Sequence, residues 1–294
     1  EKVKGPAAIV LHNLFLWSRA RPRVRYMDPN ELMEVNKRRW NEKVQANQVS
    51  PVYDVEGFIN GASTLLPIEL LEVGPVQGKD MLHLQCHFGM DTLSWARMGA
   101  RITGVDFSPD AISMARELSV RTGVPAEFLE CNIYDLDRLG LGKFDVIFTS
   151  YGVLCWLPDL GPWARWISDH LRPGGFFYVV DNHPFGSLID ENCRDFFRAS
   201  YPYFSKEPLM FDDDVPIIDD GHEFRNKTRY EWMHPISDIV NALADSGLRI
   251  EFLHEFPFCF FPMHPSMVKG EDGYWHLPGN FYVPMLFSLK AKKM

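Results

Sequence analysis

Between residues 80 and 181, short apolar runs alternate with stretches in which apolar residues recur at helical spacing. This alternation is typical of a parallel β-sheet whose strands are joined by crossover helices. The apolar runs have the length of strands, and glycine, proline or polar residues bound them. The predicted strands are Met81–Gln85, Arg101–Asp106, Ala126–Cys131, Phe144–Ser150 and Phe176–Asp181.

Local signals predict where the intervening helices begin and end. Gly99 stops the first helix, and Ser108 followed by Pro109 supplies an N-cap and a first-turn proline for the second. The turn Pro173-Gly174-Gly175 follows the third. The predicted helices are Asp91–Met98, a stretch from Pro109 to near Gly123, and Leu160–Leu171.

Changes in this pattern divide the chain into four segments. They are a helical N-terminal arm with a lid (1–77), a core (78–181), a covering insertion (182–230) and a C-terminal completion of the core sheet (231–294). The last segment is predicted to hold a helix over Pro235–Ser246 and strands over Leu248–Glu255 and Phe281–Ala291. The fold class predicted is α/β, with a doubly wound Rossmann-like sheet that is mostly parallel and has an antiparallel C-terminal strand.

Composition narrows the classes of partner. The 294 residues carry a formal charge of −9, which disfavours nucleic acid in spite of a local basic patch over Arg19–Arg25. The apolar stretch 7–17 is too short to span a bilayer, so no membrane association is expected. Five widely spaced cysteines favour reduced thiols and a cytoplasmic location. The pattern leaves the oligomeric state open.

One loop and one acidic residue point to a ligand. Asp106 ends the second strand about 20 residues after the loop at 85–89, where a carboxylate can accept hydrogen bonds from both hydroxyls of a ribose. A dinucleotide loop needs several glycines beside its pyrophosphate, but Gln85 and His87 stand where glycines are expected, and Gly89 remains for close packing of helix and sheet. A cofactor with adenosine and no phosphate fits this loop. S-adenosylmethionine is such a cofactor.

The segments MLHLQCHFG, ITGVDFS, TSYGVLCWLPDLGPWARW and LRPGGFFYVV resemble the class I S-adenosylmethionine-dependent methyltransferase family of the small-molecule type. The resemblance implies that the loop faces the methionine part of the cofactor, that Asp106 holds the ribose, and that the end of the third strand receives the adenine. His83 departs from the family pattern, because it stands where an acid is usual. The implied cofactor-binding residues are Gln85, His87, Gly89, Asp106, Phe107, Asn132, Ile133 and Ser150, with Tyr53 as a lid residue.

Methyl transfer is an in-line displacement that relies on alignment, and a base is needed only where the acceptor carries a proton. Tyr151 and His183 follow strand ends that face the crevice and are the candidate catalytic residues. His183 is equally compatible with capping a turn, whereas the ordinary pKa of tyrosine, near 10, favours Tyr151 as a wall of the site over a base. Candidate residues for the acceptor are Trp156, Tyr230 and His234, whereas the spacing of Trp163 and Trp166 favours core packing.

Other readings stay open. His83, Cys86 and His87 have ligand types that suit zinc, but strand alternation separates the first two, so no metal is predicted. The acids of FDDDVPIIDDGHEF could attract an amine, although a solvated loop is favoured. The predicted function is S-adenosylmethionine-dependent methylation of a small molecule at N, O or S. The alternatives are a non-catalytic binding protein of the same fold and an NAD-dependent oxidoreductase.

Overall fold

A computed structural model describes residues 28–50, 52–190, 198–212, 224–279 and 282–294. Three features of the sequence lie outside the described residues: the apolar stretch 7–17, the basic patch Arg19–Arg25, and all but the ends of FDDDVPIIDDGHEF. In the part of the chain that is described, no helix is long and apolar enough to cross a membrane.

A seven-stranded central sheet organises these residues. Its strands, in chain order, are β1 (Asp80–Leu84), β2 (Arg101–Asp106), β3 (Glu127–Glu130), β4 (Phe144–Ser150), β5 (Leu171–Asn182), β8 (Leu248–Phe256) and β12 (Leu286–Lys293). Their spatial order is β3-β2-β1-β4-β5-β12-β8. The first five strands pair in parallel, and β12 pairs antiparallel with both β5 and β8. The predicted fold class is confirmed.

Two small sheets flank the central one. The first joins β6 (Leu209–Asp212) to β7 (Thr228–Glu231), and the second joins β9 (Phe258–Cys259), β10 (Val268–Lys269) and β11 (Trp275–His276). Helix α1 (Pro29–Val49) lies against β7, where the side chain of Asn36 exchanges two hydrogen bonds with the backbone of Tyr230, at 2.8 and 2.9 Å. This pairing brings a segment from before the core into contact with one from the C-terminal part of the chain.

The helices of the core and of the C-terminal segment begin and end close to the predicted positions, whereas Val55–Ile59 is helical in the segment predicted as a lid. In chain order they are α1 (Pro29–Val49), α2 (Val55–Ile59), α3 (Pro67–Val73), α4 (Met90–Arg97), α5 (Pro109–Thr122), α6 (Leu160–His170) and α7 (Ile236–Asp245). Short 3₁₀ turns lie at Ile133–Leu139, Leu154–Trp156 and Gly186–Leu188. The hydroxyl of Ser108 caps α5 by accepting from the amide of Ala111, and Gly123 ends that helix at a φ of 66°. Both predicted capping signals are confirmed.

Two boundaries differ from the prediction. Strand β5 begins at Leu171, directly after α6, so Pro173-Gly174-Gly175 lies in an irregularity within the strand instead of in a separating turn. A Cβ at Gly175 would lie 2.9 Å from the carbonyl oxygen of Asp145, so only glycine fits beside β4 there. The last strand begins at Leu286, later than predicted, because β12 pairs only where Asn182 and Phe256 are opposite it.

Alternation along the strands creates two apolar layers. In β1, Leu82 and Leu84 face a cluster with α6 and α7, whereas Met81 faces a second cluster with α3 and Trp95. Trp163 and Trp166 belong to the first cluster, as predicted for core residues. Helices therefore cover both faces of the sheet, and its carboxyl edge is left to form a cavity.

Candidate functional site

The loop after β1 turns through three left-handed residues at alternate positions. Gln85, His87 and Gly89 have φ angles of 55°, 51° and 79°. Left-handed backbone costs a residue with a Cβ about 1–2 kcal/mol, and this is the reason glycines are expected at such positions. Gln85 and His87 therefore adopt the backbone of the glycines that they replace.

Side-chain contacts hold the two strained residues in place. The amide nitrogen of Gln85 donates to the carbonyl oxygen of Val153 at 3.0 Å. The His87 ring packs on Phe88, with 4.2 Å between centroids, and edge-on against Trp40 at 5.4 Å. Burial lowers the pKa of His87 to about 3, so the ring is neutral. These contacts offset the strain that glycines would avoid.

Gly89 has a packing role in this loop. A Cβ on it would lie 2.5 Å from Cε1 of Phe128 and 3.0 Å from Cβ of Ala115. The residue does not contribute to the cavity lining, although its neighbours Phe88 and Met90 do. Gly89 thus lets α4 start close to the sheet, and its predicted cofactor contact finds no support in its position.

Asp106 ends β2 under the loop. One carboxylate oxygen accepts from the amide of His87 and the other from the amide of Ser108, both at 2.9 Å. Burial raises the pKa of Asp106 to about 6, against the opposing effect of these amide donors. The side chain borders the cavity, so its remaining lone pairs can accept from a ligand.

The predicted adenine-side residues lie together beside Asp106. Phe107, Asn132 and Ile133 all line the cavity. The side-chain oxygen of Asn132 accepts from the amide of Tyr134 at 3.0 Å and so caps the following 3₁₀ turn. Because this hydrogen bond uses one lone pair of the oxygen, one lone pair remains for a ligand.

Asp91 was missed by sequence reasoning as a site residue. It lies in the first turn of α4 and lines the cavity. Its two oxygens accept from the hydroxyls of Thr64, at 2.6 Å, and Ser150, at 3.0 Å. The predicted residue Ser150 also lies 3.4 Å from Nε2 of His83, so the strand end and α4 share one polar network. An acid two positions after the last loop glycine was the available signal.

Tyr151 lines the cavity in a strained conformation with a φ of 52°. Its hydroxyl donates to Glu69 at 2.7 Å, and its ring packs on Phe260 at 4.2 Å. Burial and the neighbouring Glu69 raise the pKa of Tyr151 well above its ordinary value. The contacts favour the wall over the base, because a phenol with a raised pKa does not take up protons near neutrality.

His183 lies away from the cavity lining. Its Nδ1 accepts from the amide of Phe185 at 3.0 Å, and its Nε2 lies 2.8 Å from a carboxylate oxygen of Glu255 without hydrogen-bond alignment. The ring therefore caps the turn that begins at Pro184. This position favours the turn-capping alternative over the catalytic one.

Of the three residues predicted for the acceptor, two line the cavity and one does not. Trp156 and His234 line the cavity, and each is fixed by a hydrogen bond to backbone: the Trp156 indole donates to Gly152 at 2.6 Å, and His234 Nε2 lies 2.7 Å from the oxygen of Leu157. Tyr230 is buried against Leu32 and Met33 and does not line the cavity. Its predicted contact with an acceptor finds no support in this position.

Helix α1 supplies residues that the sequence did not reveal. Trp40, Lys43 and Asn47 follow one helix face into the cavity at intervals of three and four residues. The ammonium of Lys43 lies 4.6 Å from the centroid of the Trp40 ring, and Trp40 meets Trp156 edge-on at 5.4 Å. Asn47 donates to the hydroxyl of Tyr53 at 3.2 Å, which holds the predicted lid residue at the cavity wall.

These walls enclose a cavity of about 1000 Å³ at the carboxyl ends of β1, β2 and β4. A buried acceptor, Oε1 of Gln85, has no hydrogen-bond partner within the described residues. Among the residues that the structure describes, no group of three His, Cys, Asp or Glu side chains could hold a metal ion. His83 instead contacts the hydroxyl of Thr92 at 2.8 Å, and burial lowers its pKa to about 3.

Comparisons with known proteins bear on this site. Residues 82–177 match a family described as a methyltransferase domain. A ubiquinone biosynthesis O-methyltransferase from Xanthomonas euvesicatoria pv. vesicatoria is 28% identical over 130 residues, which are 43% of this chain and 54% of that protein. The chain thus spans about half the length of the curated relatives it matches.

Solved structures agree at the level of the fold. An S-adenosylmethionine-dependent methyltransferase from Mesorhizobium loti superposes with a TM-score of 0.54 at 19% identity, over 80% of this chain and all of that one. DhpI in complex with SAH superposes with a TM-score of 0.52 at 14% identity, over 89% of this chain and 97% of that one. Together with the family match, these likenesses confirm the predicted fold.

Proposed function

We propose that this chain belongs to the class I S-adenosylmethionine-dependent methyltransferase family and transfers the methyl group of S-adenosylmethionine to a small-molecule acceptor. The observation that carries the proposal is one cavity of about 1000 Å³ with two different ends. Asp106 lies at one end, and Trp40, Trp156 and Lys43 lie at the other. His87 of the loop contacts Trp40, so the loop lies between the two ends. Such a cavity can hold two molecules in contact.

The cofactor end suits an adenosine ligand without phosphates. Asp106 would accept from the ribose hydroxyls, and Phe107 and Ile133 would lie against the adenine. When bound, S-adenosylmethionine supplies an electrophilic methyl group on a sulfonium. The chain's own residues would hold that group in line with the acceptor and exclude water.

The acceptor end suits an aromatic hydroxyl compound. Trp40, Trp156 and Trp232 offer flat apolar surface, and the relatives in the comparison are named as O-methyltransferases. Burial, aided by the positive charges of Arg39 and Arg229, lowers the pKa of Lys43 to about 8. An amine with such a pKa can take the hydroxyl proton near neutrality, which makes Lys43 our candidate base in place of His183 and Tyr151.

The two alternative functions receive less support. Side chains on Gln85 and His87 occupy the loop positions that a pyrophosphate needs free, which disfavours the NAD-dependent oxidoreductase. A non-catalytic protein would not need Lys43 beside the aromatic wall. The net charge of −9 still favours a small molecule over nucleic acid, and the free cysteines among the described residues support the cytoplasmic location.

Calorimetric titration with S-adenosylhomocysteine tests the cofactor half. We expect binding that Asp106→Ala weakens and that Asp110→Ala, a change at an exposed acid four residues later, leaves intact. Absence of binding to the wild type, or enhanced NADH fluorescence in its place, would refute the proposal.

Turnover of a panel of phenols and catechols tests the acceptor half. Lys43→Met should lower kcat while S-adenosylhomocysteine affinity is preserved, and Lys43→Arg should keep the charge without restoring the rate near neutral pH. Cofactor binding with no methylation across the panel would favour the non-catalytic alternative.

A further inference from the structure

Asp91 carries a partly buried carboxylate whose hydrogen-bond partners are neutral hydroxyls. Its oxygens accept from the hydroxyls of Thr64 and Ser150, and in the described part of the chain no cation acts on it appreciably. Burial without a counter-charge raises the pKa of Asp91. Removing a carboxylate from water in this way is costly for a protein unless a cation pairs with it.

Three elements fix the position of this carboxylate. Asp91 itself belongs to α4, Ser150 ends β4, and Thr64 precedes α3, where its hydroxyl also lies 3.2 Å from that of Ser94. Each oxygen of the Asp91 carboxylate uses one lone pair for a protein hydroxyl, and a second remains for a ligand in the cavity. The site is therefore preorganised for a donor that carries positive charge.

The neighbouring strand β1 does not provide a positive charge for Asp91. His83, at the position where the family usually has an acid, is neutral and has Thr92 and Ser150 as its partners. Asp91 lies in the first turn of α4, two residues after Gly89, so its side chain lines the cavity beside the loop 85–89. Lys43 contacts the ring of Trp40 and acts on His87, but it does not act on Asp91.

We propose that Asp91 binds the α-ammonium group of the cofactor's methionine part and makes the site select adenosine thioethers that carry this amine. The inference rests on the proposed function. An ammonium can donate hydrogen bonds to both free lone pairs, whereas a sulfonium has no hydrogen to donate. The acid of this site thus comes from α4 instead of from the end of β1.

Titration of two ligands tests the assignment. S-adenosylhomocysteine carries the ammonium but no sulfonium charge, and 5′-methylthioadenosine lacks the whole amino-acid part. In Asp91→Asn, we expect the Kd for S-adenosylhomocysteine to rise about 10- to 100-fold, as for loss of a charge-assisted hydrogen bond, and that for 5′-methylthioadenosine to stay unchanged. The two ligands also differ in the carboxylate of the amino-acid part. Asp91→Asn removes a negative charge from the protein, which cannot weaken binding of that carboxylate, so a loss of affinity reports on the ammonium.

Asp106→Asn is the matched control, since it should weaken both ligands. Unchanged 5′-methylthioadenosine binding by Asp91→Asn also verifies that this variant is folded. Equal losses for the two ligands, or an unchanged affinity for S-adenosylhomocysteine, would overturn the role of Asp91 alone. Failure of the wild type to bind either ligand would overturn the proposed function together with it.

Discussion

Replacing Gly89 with alanine should destabilise the protein through two separable effects. The residue has a φ of 79°, and left-handed backbone costs a non-glycine residue about 1–2 kcal/mol. The new Cβ would also lie 2.5 and 2.7 Å from two atoms of the Phe128 ring. Overpacking of this kind adds about 1–3 kcal/mol. The free energy of unfolding should therefore fall by about 2–5 kcal/mol.

Phe128 cannot easily move away from the new methyl group. Its ring is buried in a cluster with Cys86, Met114 and Leu118, so a shift would displace other core side chains. Phe128→Leu in the Gly89→Ala background should then recover part of the loss, although Phe128→Leu alone removes apolar contact. If the double mutant loses less free energy of unfolding than the two single mutants lose together, the cycle identifies the clash directly.

Gly123→Ala is the matched control, because Gly123 has a φ of 66° and no atom of the described residues lies within 4 Å of the position that its Cβ would occupy. It should show the backbone cost alone, about 1–2 kcal/mol. Urea unfolding followed by tryptophan fluorescence measures both variants. If Gly89→Ala were no more destabilising than Gly123→Ala, the packing role assigned to Gly89 would be refuted.

Two further predictions concern pH. The pKa of Asp106 is raised to about 6, and a ribose donates hydrogen bonds to the ionised carboxylate. The affinity for S-adenosylhomocysteine, measured by calorimetry, should therefore fall as the pH drops below about 6. Asp106→Asn should show no such fall, and an equal fall in this variant would contradict the assignment. Burial raises the pKa of Glu69 to about 8, so the folded state binds a proton at this residue more tightly than the unfolded state does. The stability that this proton contributes is lost as the pH rises from the unfolded pKa to about 8. Between about pH 6.5 and 8, urea unfolding should show a slope of up to about 1.4 kcal/mol per pH unit that Glu69→Gln removes, whereas an unchanged slope would assign the effect to another group.

Much of the core followed from the sequence because its signals are local. Ser108, Pro109 and Gly123 bound α5 through groups within a few residues of each other, and Asp106 ends a strand recognisable from its own apolar pattern. The parallel order of the strands then brings their carboxyl ends to one edge. That rule places Asp106 and Ile133 at the same cavity without any knowledge of side-chain contacts.

The tertiary structure decided what no local pattern contains. The network of Thr64, Asp91 and Ser150 joins residues up to 86 positions apart in the chain, and Lys43 reaches the cavity because α1 packs against β7. His183 satisfies the sequence rule for a strand end, yet contacts with Phe185 and Glu255 turn its ring away from the cavity. Strand periodicity fixes where a residue lies along the sheet, whereas the direction of its side chain and its charge partners depend on packing between distant segments.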